Sequence, residues 1–308
     1  MLWPDNKKFA FTIIDDTDNS YVENVKPIYD LLYTLKMRTT KTCWVYPPRD
    51  SFTGHSLSNE GYRNFVLDLA KKGFELALHN VGSGAFNREE ILRGIELFKD
   101  FTGDYPLMQI NHANNPDNLY WGSERYTGFT KFLIKIIYGN KRSYYGSDIN
   151  SPYFWGDVSK NHIKYIRNHT FNGINTLNYD PQMPYRAKKK NEFSNYWFSS
   201  SDGHTVEEFN NLISSKNVNE LVASGGLCIV YTHFASGFVN GNGVVDCTFE
   251  MQLRNLSQKE GWFVPASEIL DYLLTQKKEP EFVSQFYQAC LDVRWMFDRV
   301  FKKIKMGR

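Results

Sequence analysis

No stretch of the 308-residue chain approaches the ~20 uninterrupted apolar residues that cross a bilayer as a helix. The opening, Met1-Leu2-Trp3-Pro4-Asp5-Asn6-Lys7-Lys8, has no apolar core and no small-residue cleavage site of the kind a secretory signal carries. A cytoplasmic protein is expected on that basis. An excess of one charge is also lacking: 36 Lys+Arg against 34 Asp+Glu leave a formal net charge of +2. Nucleic-acid binders usually carry a strong basic excess, so no nucleic-acid partner is expected. Cysteine is scarce. The four at positions 43, 228, 247 and 290 form no close pair, which gives poor zinc-finger spacing and argues against a disulfide framework. Cys43 and Cys228 sit inside apolar runs and read as small core residues.

The apolar content, 42% of residues, lets a chain of this length bury a full core without covalent staples. Aromatics are plentiful, with 7 Trp, 19 Tyr and 23 Phe, and serve either as core or as surface for stacking on sugar rings. Composition alone does not choose between the two.

Short apolar runs alternate with helical patterns. Phe9 to Ile14 reads as a buried strand, Thr42 to Tyr46 as a second stopped by Pro47-Pro48, Phe74 to Leu78 as a third and Leu107 to Ile110 as a fourth. Helices are expected at Val25 to Leu35, at Asn59 to Lys72 with Gly73 as terminator, and from the capping-box-like Asn87-Arg88-Glu89-Glu90 to about Phe101. The middle is less regular. Phe129 to Ile137 and Asn161 to Arg167 read as helical, and Asn172 to Leu177 and Tyr196 to Ser199 as weaker strands. The basic run Arg186 to Lys190 reads as a solvated loop. Thr205 is a plausible N-cap of a further helix. Gly226 to Tyr231 is the clearest late strand, followed by a helix at Thr248 to Glu260, a strand at Trp262 to Pro265 and a helix at Ala266 to Leu274. Such alternation predicts a mostly parallel α/β sheet, with its chemistry at the carboxyl ends of the strands. Asp15, Asp16, His79, His112 and His233 all fall at such ends. Two adjacent carboxylates there point in different directions, so one binds a metal while its neighbour faces substrate. Asp with two His is an adequate hydrolytic Zn2+ site, and a distant His can act as general acid.

In motif order, residues 8 to 275 resemble the polysaccharide deacetylases with the NodB-homology domain, the family-4 carbohydrate esterase type. The first motif corresponds to Phe11-Thr12-Ile13-Ile14-Asp15-Asp16-Thr17, the second to Gly73-Phe74-Glu75-Leu76-Ala77-Leu78-His79, and the late motif to Ile229-Val230-Tyr231-Thr232-His233. The resemblance implies a distorted (β/α)7-type barrel of parallel strands over residues 1–278; residues 279–308 read separately, from their apolar spacing, as a C-terminal amphipathic helical appendage. It implies Asp15 as general base, Asp16 and His79 as metal ligands and His233 as the acid that protonates the leaving group. The cofactor implied is Zn2+ or another divalent transition metal, and the reaction is removal of an acetyl group from an N-acetylated sugar or glycan precursor. The chain departs from the family in three places. Ser83 stands where the second motif has another His, Thr17 replaces a Gly, and the usual third motif gives way to Ile110-Asn111-His112-Ala113-Asn114-Asn115. His112, on the neighbouring strand, is expected from its position to replace the missing imidazole.

Other residues carry open readings. Asn114, Tyr120, Trp121, Tyr153 and Trp155 are candidates for holding the sugar, with turn formation as the alternative for Asn114-Asn115 and core packing as the alternative for the aromatics. Asp18 reads as an Asx-turn residue, with orientation of His233 as its second reading. His204 reads as part of a helix start or as an alternative acid or ligand. His55, His162 and His169 read as surface, and Asp148 and Asp157 as solvated loop residues near a cleft. The basic C-terminal helix packs on the barrel, touches an anionic membrane surface or meets a partner. Two functional alternatives stay open: an inactive glycan-binding protein on the same fold, favoured by Ser83, and a metal hydrolase acting on another amide or an ester.

Overall fold

The computed structural model describes residues 3–138, 144–277 and 282–306. Its strands are β1 (Phe9–Asp15), β2 (Thr40–Cys43), β3 (Glu75–Leu78), β4 (Met108–Gln109), β5 (Tyr165–Phe171), β6 (Arg186–Ala187), β7 (Tyr196–Asp202), β8 (Leu227–Thr232), β9 (Gly261–Trp262) and β10 (Phe282–Val283). Its α-helices are α1 (Val22–Thr34), α2 (Glu60–Lys71), α3 (Arg88–Thr102), α4 (Gly128–Tyr138), α5 (Gly156–His162), α6 (Thr176–Tyr179), α7 (Val206–Leu212), α8 (Ser215–Ala223), α9 (Cys247–Ser257), α10 (Ala266–Thr275) and α11 (Gln285–Met306).

Seven parallel strands run in the order β2-β3-β4-β5-β7-β8-β1, and a β1–β2 pairing closes them into a barrel. The closure is uneven. On one edge of β1, Ile14 and Asp15 pair with β2, while Phe9 and Ala10 pair with β9. This split edge is the distortion expected of the barrel. Every residue of β1 is buried, as its near-continuous apolar sequence requires of a strand covered on both faces. Local signals agree with the surrounding helices. Asn59 caps α2 by accepting from the Tyr62 amide, and Gly73 follows α2 at φ 88°, a left-handed position that suits glycine. Asn87 and Glu90 form a reciprocal capping box at the start of α3. Cys43 and Cys228 are fully buried in the core.

The irregular middle departs from the pattern read in the sequence. Asn161 to Arg167 is not a helix, because α5 stops at His162 and β5 begins at Tyr165. Asn172 to Leu177 is not a strand; it leads into α6. β5 is disguised because Arg167, Asn168, His169 and Thr170 interrupt its apolar run, and a register shift against β7 falls between Arg167 and Thr170. His169 is fully buried rather than on the surface, and Lys190 is buried with its ammonium on the Arg125 carbonyl. Arg186–Ala187 pairs with β10 instead of forming a free loop.

The helix α11 docks on the barrel through polar ties. Asp292 accepts from the Thr127 amide at 3.0 Å, the Thr130 hydroxyl at 3.0 Å and the His169 Nε2–H at 3.0 Å. Burial and the nearby Arg125 push the His169 imidazole down to about 3, so it is neutral when it donates. Burial opposes ionisation of Asp292, but His169 and Lys190 outweigh it and hold the carboxyl below its ordinary range. Nearer the end of the helix, Arg299 and Lys302 grip Asp202 at 2.6 and 3.0 Å. The expected boundary at 278/279 and the final Gly307-Arg308 lie outside the described residues.

Asp292→Ala leaves the Thr127 amide and the His169 Nε2–H buried without their acceptor, so a loss of about 2–5 kcal/mol of unfolding free energy is expected in urea denaturation. A loss below about 1 kcal/mol would contradict this account of how α11 is held. Asp202 and Asp292 both have folded values depressed below the unfolded carboxylate, about 3.9. Their contribution is therefore complete above that value and is lost as pH falls through the folded values. Asp292→Asn is expected to flatten the fall of stability on acidification, and an unchanged slope would contradict it.

Candidate metal centre

Five of the seven barrel strands deliver groups to one point at their carboxyl ends. β1 runs into Asp16, Thr17 and Asp18, β3 into His79, β4 into the loop that carries His112, and β8 into His233; β5 contributes Arg167 from within the strand. Asp18 stands at the centre. Its Oδ1 lies 2.7 Å from His112 Nε2, and its Oδ2 lies 2.6 Å from His233 Nε2 and 3.4 Å from His79 Nε2. Asp18 is 7% exposed, His79 2% and His112 1%. Asp18 occupies a turn, as its sequence suggested, and also holds His233.

The imidazoles are oriented from behind. His79 Nδ1 meets the Ile110 carbonyl at 3.0 Å, and His112 Nδ1 meets Asn115 Oδ1 at 3.0 Å. Asn115 is itself fixed, donating to the Gly82 carbonyl and accepting from the Gly84 amide. Both rings thus give their Nδ1–H to an oxygen and turn the Nε2 lone pair toward Asp18, the arrangement that second-shell groups impose on metal-binding histidines. Trp44 stacks parallel to His79 and meets His112 edge-on, and Phe52 rests on His112 with ring centroids 4.6 Å apart.

Asp18 Oδ1 and His112 Nε2 are buried, face each other and have no hydrogen-bond partner of acceptable geometry. Two facing lone pairs are costly unless a cation or an added proton lies between them. Asp18, His79 and His112 each offer one ligand atom within a span of 4.8 Å, and Asp16, Asp18 and His233 form a second overlapping group. The donor set fits a divalent transition metal of the Zn2+ type, which accepts mixed imidazole and carboxylate ligands. Without an ion, burial opposes the charge on Asp18, but His79, His112 and His233 outweigh it and hold the carboxyl well below the ordinary range. In return Asp18 raises His112 and His233 above the usual imidazole value against the opposing effect of burial.

Of the two aspartates of the first motif, Asp16 borders that centre and Asp15 is engaged elsewhere. Asp16 receives a bidentate grip from Arg167, at 3.0 and 2.6 Å, and its Oδ2 is 4.0 Å from His79 Nε2. Burial would raise its carboxyl, but Arg167 and then His79 bring it below the ordinary range. The guanidinium of Arg167 lies on the face of Tyr231. Asp15 is fully buried and saturated by other partners. Its carboxylate pairs with buried Lys41 at 2.9 Å and accepts from the Tyr29 hydroxyl at 2.9 Å and the Phe234 amide at 2.9 Å. These bonds tie β1 to β2 and to the loop carrying His233.

The remaining candidates scatter. Trp155 is 1% exposed and donates its ring N–H to the Asp117 carbonyl, so its faces belong to the core and not to a sugar. Tyr120 packs edge-on against Trp197, Trp121 lies under Arg125, and Tyr153 stacks on Tyr145. Asn114 is exposed on the loop beyond His112. Ser83 donates to Asp50 at 2.7 Å. His204 precedes α7, bonds the Tyr231 hydroxyl and lies with its ring 4.5 Å from His233. Asp157 pairs with Arg88. Arg167 and the clamp made by Asn115 had no assigned part in the sequence reading. The first lay in a segment read as helix, and the second in one read as turn or sugar contact.

No family model matches the chain, and no curated protein sequence matches it. Solved structures do. The chain superposes on PuuE allantoinase with a TM-score of 0.52 at 11% identity, covering 91% of this chain and 94% of that one. A probable polysaccharide deacetylase from Pseudomonas aeruginosa PAO1 gives a TM-score of 0.51 at 11% identity, with the same coverage of both chains. At this identity the likeness is one of fold, and it is the fold that the motif order implied.

Titration of Zn2+ into the protein at neutral pH is expected to fill one site with release of protons, since the ion displaces the proton that Asp18 favours on His112. Asn115→Ala touches no proposed ligand atom, yet a loss of affinity of about 10–100-fold is expected once His112 is freed to turn. Unchanged affinity in both Asn115→Ala and His112→Ala, with folding checked by circular dichroism, would remove His112 from the centre.

Proposed function

We propose that the protein is a metal-dependent hydrolase that removes the acetyl group from an N-acetylated sugar. The observation that carries this reading is the buried cluster of Asp18, His79 and His112, in which Asp18 Oδ1 and His112 Nε2 face each other at 2.7 Å without a hydrogen bond of acceptable geometry. The fold shared with a probable polysaccharide deacetylase supports the choice of reaction class.

Asp18, His79 and His112 would hold the ion, which when bound supplies Lewis-acid polarisation of a carbonyl and acidifies water. Asp16 is the better-placed base. It borders the cluster, and Arg167 keeps it ionised and fixed in direction. It takes a proton from the attacking water while the new C–O bond forms at the acetamide carbonyl. His233 supplies the proton that the amine needs as the C–N bond breaks. Its Nε2–H is engaged by Asp18, and its Nδ1 is buried without a partner, so the imidazolium has one proton to give. The products are acetate and an amino sugar. Asp15 is a positioning residue in this reading: it fixes the turn that carries Asp16 and Asp18 to the loop that carries His233. The role of base thus moves from Asp15 to Asp16, and that of carboxylate ligand from Asp16 to Asp18. His112 takes the place of the imidazole missing at Ser83, which weakens the case for an inactive binding protein.

Asp16→Asn and His233→Ala are each expected to lower acetate release from N-acetylglucosamine oligomers by about 10²–10⁴-fold. Metal content should stay at the wild-type level in both. Wild-type protein loaded with Zn2+ that releases no acetate from any N-acetylated sugar would contradict the proposal in favour of a binding protein. Release from acetylated esters but not from acetamides would redirect it to an esterase.

A further inference from the structure

Nine of the fifteen exposed large apolar side chains among the described residues fall on two helices that touch each other, α4 and α11. Phe129, Phe132 and Ile136 follow one another at helical spacing along α4, and are 59–70% exposed. Phe286, Val293, Phe297, Val300, Phe301 and Ile304 form a second stripe along the 22-residue α11. The stripes adjoin, because the start of α4 is seated on Asp292 through Thr127 and Thr130. A monomer rarely leaves so much aromatic surface open without something to cover it.

The charges nearby select the cover. Neither Gly128–Tyr138 nor residues 299–306 contain an Asp or Glu. Lys135 and Lys303 are exposed beside the stripes. The acidic groups of α11 are spent elsewhere, Asp292 on Thr127, Thr130 and His169, and Asp298 on Asn172 and Arg299. A second copy would set lysine against lysine. An anionic surface would meet the lysines while the phenylalanines enter its apolar layer, which is how helices lie in a membrane interface. No helix among the described residues is long and apolar enough to cross a membrane.

We propose that α4 and α11 together form a docking surface for an anionic lipid bilayer. Arg299 and Lys302 hold α11 to Asp202, at the carboxyl end of β7, so docking brings the barrel mouth beside the membrane. The surface is independent of the metal centre and of the reaction proposed for it.

Flotation of the full chain with vesicles tests the proposal. Wild-type protein is expected to float with mixed phosphatidylglycerol–phosphatidylcholine vesicles, to lose that binding at high salt, and to ignore vesicles of phosphatidylcholine alone. Each lysine near an anionic surface is worth about fivefold in binding, so Lys135→Glu with Lys303→Glu should weaken it more than about tenfold. Phe132→Ser with Phe301→Ser should abolish it. Both positions are exposed, so these variants are expected to keep wild-type circular dichroism and Zn2+ affinity. Absence of wild-type flotation with either vesicle overturns the proposal. So does sedimentation equilibrium showing a dimer that the Phe132→Ser, Phe301→Ser variant dissolves, because a second copy would then cover the face. Flotation needs no substrate, so failure of the proposed deacetylation leaves this result untouched.

Discussion

A single carboxylate buried against three imidazoles is the constraint around which this site is arranged. Asp18 sits where water cannot compensate its charge, and its two oxygens meet His112, His233 and His79 at 2.7, 2.6 and 3.4 Å. Such a cluster persists only if protons or a cation balance it. The contacts around it serve to keep that geometry. Asn115 and the Ile110 carbonyl fix two of the rings from behind. The fully buried Lys41–Asp15 pair, with the bond from the Phe234 amide, anchors the Asp16–Asp18 turn to the loop of His233 across the barrel closure. Arg167 holds Asp16 apart from the cluster but beside it.

Much of the barrel was legible in the sequence because most of its strands are buried on both faces and end at polar residues. β1, β3 and β8 show as apolar runs, whereas β2 is the polar Thr40–Cys43 and shares only Thr42 and Cys43 with the expected strand Thr42 to Tyr46. Asn59, Gly73 and Asn87 mark helix ends with local chemistry that the structure uses as expected. The failure at β5 has a physical cause. Tyr165–Phe171 buries Arg167 and His169, the one paired with Asp16 and the other with Asp292. A strand that buries polar side chains in pairs carries no apolar period, and the partners that make it possible lie more than a hundred residues away. Lys190 misleads for the same reason: three lysines in a row read as solvated, yet the last is buried on the Arg125 carbonyl.

The site was legible in its location and partly hidden in its detail. Strand ends placed Asp15, Asp16, His79, His112 and His233 at one mouth, and the structure brings His79, His112 and His233 around one carboxylate. Which aspartate that is depends on how the chain turns after β1. Motif order favours Asp15 and Asp16, whereas the turn carries Asp18 inward, leaves Asp16 to Arg167, and buries Asp15 against a lysine contributed by β2. Spacing cannot foresee that Lys41, inside an ordinary strand, claims the first carboxylate. The aromatic candidates divide on burial: Trp155 lies in the core, while the mouth presents Phe52 over His112.

The assignment of Asp18 is open to direct measurement. Crystals grown with Zn2+ and measured at wavelengths on either side of the zinc absorption edge will locate the ion and the side chains that touch it. The account predicts one anomalous peak bonded to Asp18, His79 and His112, with Asp16 still paired to Arg167. A peak bonded to Asp15 or Asp16 instead of Asp18, or no zinc at the barrel mouth, would contradict it.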